Sequence, residues 1–340
     1  MTTAAVATSA AAPRRTRRLP IRTAIPGAVV VTLVRPLTWL LGLTGFLAGG
    51  GLLVLTVPIV VLPTPTGIQN ALGAPISTLV VGTPSPAMVL LIGGSFLAGL
   101  GLLVGGLIVG AWAERHLIGL QLEAAGDEGL LVPPDIAGAP GALRVAVVRA
   151  FALLPVVAVF IVAWQPLYDA AYHELVLPDE LTTPLGLRVL GDVPWVVAAV
   201  LVAWALGDAA AALGVRRLVV GRRPILVAWL LGWIDIVRRP VRVIATAAFG
   251  VVVLTLLTVP SMAAAAAGWA RVRDVMSHPD DAVGVLTTVA IWVAVWLGGL
   301  VLAGVGAAVR AGAWTLESTP VPPPGGPSGP EPNAAPAVDA

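Results

Sequence analysis

Six apolar runs, at about 37–62, 86–113, 145–167, 193–213, 241–267 and 284–309, dominate this chain of 340 residues. Each is long enough to cross roughly 30 Å of hydrocarbon as a helix, which takes about 20 residues. Six such rods cannot all hide in one aqueous core. Only 11% of the residues are charged and 58% are hydrophobic, with a mean hydropathy of +0.95. Soluble domains carry about 25% charged residues. Lipid as solvent removes the conflict, because the outer face of the fold can then be as apolar as the inner one. The sequence therefore predicts an all-α, polytopic integral membrane protein.

The charges give that protein a direction. All twenty basic residues are Arg. Only Arg188, Arg271 and Arg273 fall in the linkers after runs one, three and five, which hold eight Asp and Glu. The other seventeen flank the opposite ends of the runs. Cationic loops stay on the cytoplasmic side, next to anionic lipid. The expected protein is thus multi-pass in the cell membrane, with both termini cytoplasmic. The Arg residues bracket apolar runs instead of mixing with stacking aromatics, so no nucleic-acid partner is expected. There is no Cys, which excludes disulfides, thiolate metal sites and Cys nucleophiles. Residues 1–19 read as a disordered basic cytoplasmic arm and not as a cleavable signal, because the apolar stretch that follows is too long for one. The Pro/Gly/Ala-rich residues 319–340 read as a disordered cytoplasmic tail.

Two further apolar segments are too short to span. Residues 225–237 cover about 20 Å as a helix, at 1.5 Å per residue. They lie between Arg222-Arg223-Pro224 and Arg238-Arg239-Pro240, so both ends are held at one surface. Trp229 and Trp233 share a face suited to the headgroup boundary, and Asp235 is placed to pair with Arg238 or Arg239. The second rider, 21–34, ends at Arg35-Pro36. Headgroup anchoring is assigned to Arg35, Arg222, Arg223, Trp229, Trp233, Arg238 and Arg239. The two riders match: Pro20 to Pro36 and Pro224 to Pro240 are equally spaced, and each is followed by a span ending in Thr-Val-Pro (56–58 and 258–260). The membrane domain, 20–318, is therefore read as three parallel hairpin repeats, about 20–119, 120–221 and 222–318.

Small residues mark expected helix contacts: Gly45 and Gly49 in run one, Gly101, Gly105, Gly106 and Gly110 in run two, and Gly299, Ala303, Ala307 and Ala311 in run six. Between helices in lipid, close backbone approach supplies the contact. Of polar groups at membrane depth, Asp208 stands out, about eight residues before Arg216-Arg217. An ionised carboxylate there needs a partner. Arg149, at similar depth in run three, is the expected one, giving an intramembrane ion pair or relay.

A second constellation lies at the acidic end. Trp164-x4-Asp169-x3-His173 and Trp269-x4-Asp274-x3-His278 repeat the same spacing, with Pro155 and Pro260 nine residues before each Trp. Asp and His at i and i+4 share one helix face. Two such faces meeting would form an Asp2His2 metal site. If they do not meet, each is an amphipathic helix end. His116, beside Arg115, reads as an interfacial cation. No Ser, His or metalloprotease signature is present, since His173-Glu174 lacks the second His. No enzyme activity and no cofactor are expected. The leading expectation is a non-enzymatic accessory or membrane-organising subunit that binds lipid or a membrane partner, homo-oligomer included. A small transporter or channel with Asp208 in its pathway ranks second, because the midplane offers little polar lining. An extracytoplasmic metal or pH sensor ranks third.

Overall fold

The computed structural model describes residues 17–56, 67, 70, 85–136, 138–176, 183–277 and 282–321. Among the described residues the only regular structure besides helix is one pair of two-residue strands. Six stretches are long and apolar enough to cross a membrane: Leu37–Thr56, Pro86–Asp127, Ala142–Glu174, Pro194–Val219, Pro240–Met276 and Ala282–Ser318.

The chain enters through β1 (Arg17–Arg18) and the first rider, α1 (Ile21–Val34). The first span is α2 (Leu37–Phe46), a π turn at Leu47–Gly51, and α3 (Leu52–Thr56). Gly50 sits in the π turn at φ +97°, a left-handed backbone that only glycine adopts without strain. The second span is α4 (Pro86–Asp127). Ser85 caps it by accepting the Met88 N–H at 3.3 Å, and Pro86 fills the first turn, where a missing N–H costs nothing.

The third span is in two pieces, α5 (Ala142–Ala152) and α6 (Leu154–Val176). The break falls just before Pro155, whose ring clashes with the carbonyl one turn back and donates no N–H. A short α7 (Leu185–Asp192) leads to the fourth span, α8 (Pro194–Val219). The second rider, α9 (Ile225–Arg238), precedes the long spans α10 (Pro240–Met276) and α11 (Ala282–Ser318). β2 (Pro320–Val321) then pairs antiparallel with β1. Residues 17–19 and 319–321, expected within unstructured ends, therefore meet and tie the first rider to the last span.

Several helices outrun their apolar runs. α4 continues past Ala113 to Asp127 because its far end is still two-faced, with Ile118, Leu122 and Ala125 buried. The dense part of the fold lies at the Arg-rich end. There α1 packs on α11, α5 on α4 and α9 on α8. The core is built largely of Ala and Val, including Ala28, Val145, Val148, Val215 and Ala313. Small side chains let helices approach closely, and dispersion grows with the number of atoms brought into contact. Helices α2 and α11 cross closely in this way. A Cβ on Gly42 would lie 2.5 Å from the Gly304 carbonyl oxygen, and one on Gly304 would lie 2.6 Å from that of Trp39.

At the other end packing is pairwise, α6 with α8 around Ala163 and Val196 and α10 with α11 at Trp269 and Trp292, and much apolar surface stays uncovered. Leu90, Phe96, Leu97 and Leu102 on α4, Ile161 and Val162 on α6, and Val283 and Leu286 on α11 are all exposed. In water that surface would drive collapse or aggregation; in hydrocarbon it carries no such cost.

Candidate functional site

The buried charge of the protein gathers where α4, α5, α8 and α11 converge. Its hub is Glu114, 7% exposed, on the buried face of α4 that also carries Ala111, Ile118 and Gln121. Arg149 of α5 donates Nε to one carboxylate oxygen at 2.6 Å, and Arg216 of α8 donates Nη1 to the other at 2.6 Å. Arg216 also donates to the Ala212 carbonyl at 3.0 Å and to the Ala311 carbonyl of α11 at 3.1 Å. The Thr315 hydroxyl lies 3.0 Å from Gln121 Oε1, and Gln121 Nε2 donates to the Ala308 carbonyl at 2.9 Å. One carboxylate, two guanidiniums, one amide and one hydroxyl thus bind α4, α8 and α11 to the last turn of α5.

Alongside, Arg310 of α11 pairs with Asp208 of α8. The expected pairing of Arg149 with Asp208 is therefore replaced by two others. α4 brings a carboxylate closer to Arg149 than Asp208 is, and α11 brings a cation to Asp208. Asp208 still acts on Arg149 and Arg216 through its charge. Three guanidiniums and two carboxylates share the cluster, and each carboxylate is in an ion pair.

A second layer lies beyond it toward the chain ends. Asp235 of α9 accepts from Arg217 at 3.0 and 2.6 Å, with Arg18 at 3.8 Å and Arg239 at 4.0 Å. Asp235 was expected to use its own helix, through Arg238 or Arg239. α8 supplies the better partner because Gly232 lets α9 lie directly on the α8 backbone at Ala210. Glu317 faces Arg18 at 3.4 Å and Arg242 at 3.3 Å, and Arg242 donates to the Leu19 carbonyl at 2.6 Å. Burial pushes the Arg18 guanidinium below its usual pKa, against the pull of Glu317.

The headgroup residues divide into two groups. Arg35 is engaged by Glu123 at 3.2 Å and Asp127 at 2.5 Å, and Arg222 by Asp135 at 2.9 Å. Arg223 and Arg238 are exposed. Trp229 and Trp233 are half-buried, and their indole N–H groups are enclosed without an acceptor among the described residues. Trp229 packs on Phe151 of α5, 5.7 Å between ring centres. They act at least partly as packing residues, because the rider lies flat on α8.

Of the glycines, Gly106 and Gly110 face Ala48 of the π turn. Gly45, Gly49, Gly101 and Gly105 have open space where a Cβ would sit, so the contact expected of them is not made within the described chain. At the acidic end, Asp169 is exposed and accepts from Gln165 at 2.9 Å, and Asp274 is exposed and accepts from Arg271 at 2.9 Å. His173 is exposed, and His278 lies outside the described residues. Among the described residues no group of three His, Asp or Glu could hold a metal ion. A buried pair, Glu174 with Arg188, joins α6 to α7 at that end.

Sequence reasoning missed Glu114, Gln121, Arg216, Arg310 and Thr315 as interior groups. Their signal was helical spacing. Glu114 and Gln121 are i and i+7, and Asp208, Ala212 and Arg216 are i, i+4 and i+8, each set on one face. Comparison of the chain with protein-family models, curated proteins and solved structures returned no match.

Proposed function

We propose that this chain is a non-enzymatic, multi-pass plasma-membrane protein with both termini in the cytoplasm, which organises the membrane around it by binding anionic lipid or a membrane partner. One observation carries the reading. The described interior charges of the Arg-rich end are engaged with one another, while the opposite halves of the spans present bare aliphatic surface. A paired cluster of this kind fixes helices in place, whereas an unlined apolar half has affinity for acyl chains or other helices. Supporting the threefold repeat is a recurrent contact: the first element of each unit lies on the last helix of the preceding one, as α5 does on α4, α9 on α8 and α1 on α11. The strand pair closes that ring at the cytoplasmic surface.

The absence of native Cys makes the test clean. Single cysteines at Leu97, Gly101 and Val162, spin-labelled in vesicles, should collide more with oxygen than with a polar nickel complex. Polar collisions at all three positions would mean a water-lined path and would refute the organising role. A small transporter or channel is the second reading. It is favoured by Asp208 and Arg310, whose side chains keep 19% and 21% exposure where Arg216 keeps 2%.

A further inference from the structure

A groove of about 390 Å³ opens at the Arg-rich end between the start of α2, the middle of α4 and the loop after it. That volume is in the range of small-ligand sites. Leu37, Leu41, Leu120 and Ile136 line it, and Arg115 and His116 stand at its polar side. Arg115 follows the apolar run of α4 by two residues, so the groove lies where headgroups meet acyl chains.

Arg115 is built for a partner it does not have. Its Nε donates to the Pro140 carbonyl at 2.8 Å and its Nη2 reaches the Ala139 carbonyl at 3.4 Å. Both acceptors are neutral, and among the described residues no carboxylate forms an ion pair with it. The guanidinium is thus held in one orientation with its charge uncompensated and half-buried. The carboxylate that also lines the groove, Glu123, is taken by Arg35. His116 adds to the same rim. Its Nδ1 lies 2.8 Å from the Trp112 carbonyl, which can only accept, so Nδ1 carries a proton.

We infer that this groove binds one anionic phospholipid of the inner leaflet, with its phosphate on Arg115 and one acyl chain along Leu37, Leu41 and Leu120. Guanidinium and phosphate match in charge and in hydrogen-bond geometry. The aliphatic walls suit the chain, and the depth suits the join between the two. The inference deepens the lipid-binding reading by naming the lipid class and a site apart from the two riders.

Native mass spectrometry of the full-length protein, exchanged from mixed phosphatidylglycerol and phosphatidylcholine micelles, tests it. The wild type should retain one phosphatidylglycerol preferentially. Arg115→Gln should lower that retention ~10-fold, since a charge-assisted contact is worth about 1.5 kcal/mol or more. Ile136→Trp, which fills the groove and leaves the Arg115 bonds in place, should lower it similarly, and circular dichroism should show both variants folded. Phosphatidylcholine retention should not change. Wild-type phosphatidylglycerol retention in folded Ile136→Trp would overturn the acyl-chain site. Displacement of the lipid by millimolar inorganic phosphate would show a small-anion site instead. Neither result depends on whether the outer halves of the spans face lipid or water, which the spin-label experiment reads separately.

Discussion

Removing the Glu114 carboxylate should cost more stability than any other single charge deletion in the protein. In Glu114→Ala the two guanidiniums it joins fare differently. Arg149, with a side chain one-third exposed, can turn its head toward phosphate at modest cost. Arg216 cannot: its side chain is 2% exposed and enclosed by α4, α8 and α11. It keeps the Ala212 and Ala311 carbonyls, which hold the group without neutralising it. Breaking a buried ion pair from one side costs about 3–5 kcal/mol. The residual carbonyl bonds and the mobility of Arg149 put the expected value at the low end, about 3 kcal/mol, or roughly 100-fold in the folding equilibrium. Glu114→Gln keeps one acceptor and should lose about half of that. The double variant Glu114→Gln with Arg216→Gln removes both charges and should recover part of the loss. Glu123→Ala, on the exposed pair with Arg35, should cost under about 1 kcal/mol. Reversible unfolding in mixed micelles, by titrating SDS and following tryptophan fluorescence, measures all four. If Glu114→Ala and Glu123→Ala prove equivalent, the cluster does not hold the helices together and the reasoning fails.

Other consequences can be checked with the same protein. Asp208→Asn should destabilise by about 2 kcal/mol, less than Glu114→Ala because Asp208 is partly open to solvent, and the reversed pair Asp208→Arg with Arg310→Asp should restore some of it in the same assay. Gly304→Leu should cost about 3 kcal/mol by forcing α11 away from the Trp39 carbonyl, while Gly101→Leu, with open space around it, should stay within about 0.5 kcal/mol. A cysteine at Asp169 should react with a membrane-impermeant maleimide in sealed right-side-out vesicles, and one at Arg223 should not; the opposite pattern would invert the orientation.

What could be read from the chain depended on which solvent a residue faces. Six helices long and apolar enough to cross a membrane, and two short helices before the first and fifth of them, were legible because length and hydropathy are local properties that need no partner. Prolines alone did not locate breaks: the third span breaks just before Pro155, whereas Pro260 sits inside the unbroken α10. Pairings were not legible. For Asp208 the chain points to Arg149 in the preceding span, whereas the fold supplies Arg310 from α11. The positive-inside pattern itself concealed the interior network. It accounts for an Arg at the end of a span by assigning it to headgroups, so Arg216 and Arg310 looked already explained. Glu114 escaped for the converse reason, since beside Arg115 at the end of an apolar run it looks like a solvated pair.

The same residue type therefore does two jobs at one depth, and burial alone separates them. Arg216 and Arg18 face carboxylates inside the protein, while Arg223 and Arg238 stand exposed. Arg115 belongs to neither set. It is fixed like an interior residue, by two carbonyls, and left charged like a surface one. Dividing guanidiniums in this way gives the Arg-rich end a tightly ion-paired base, while the opposite halves of the spans carry mostly apolar surface. Loss of the interior set should loosen the whole bundle, whereas loss of the exposed set should change only how strongly the protein favours anionic membranes. That separation is what a protein needs if it is to organise lipid without being deformed by it.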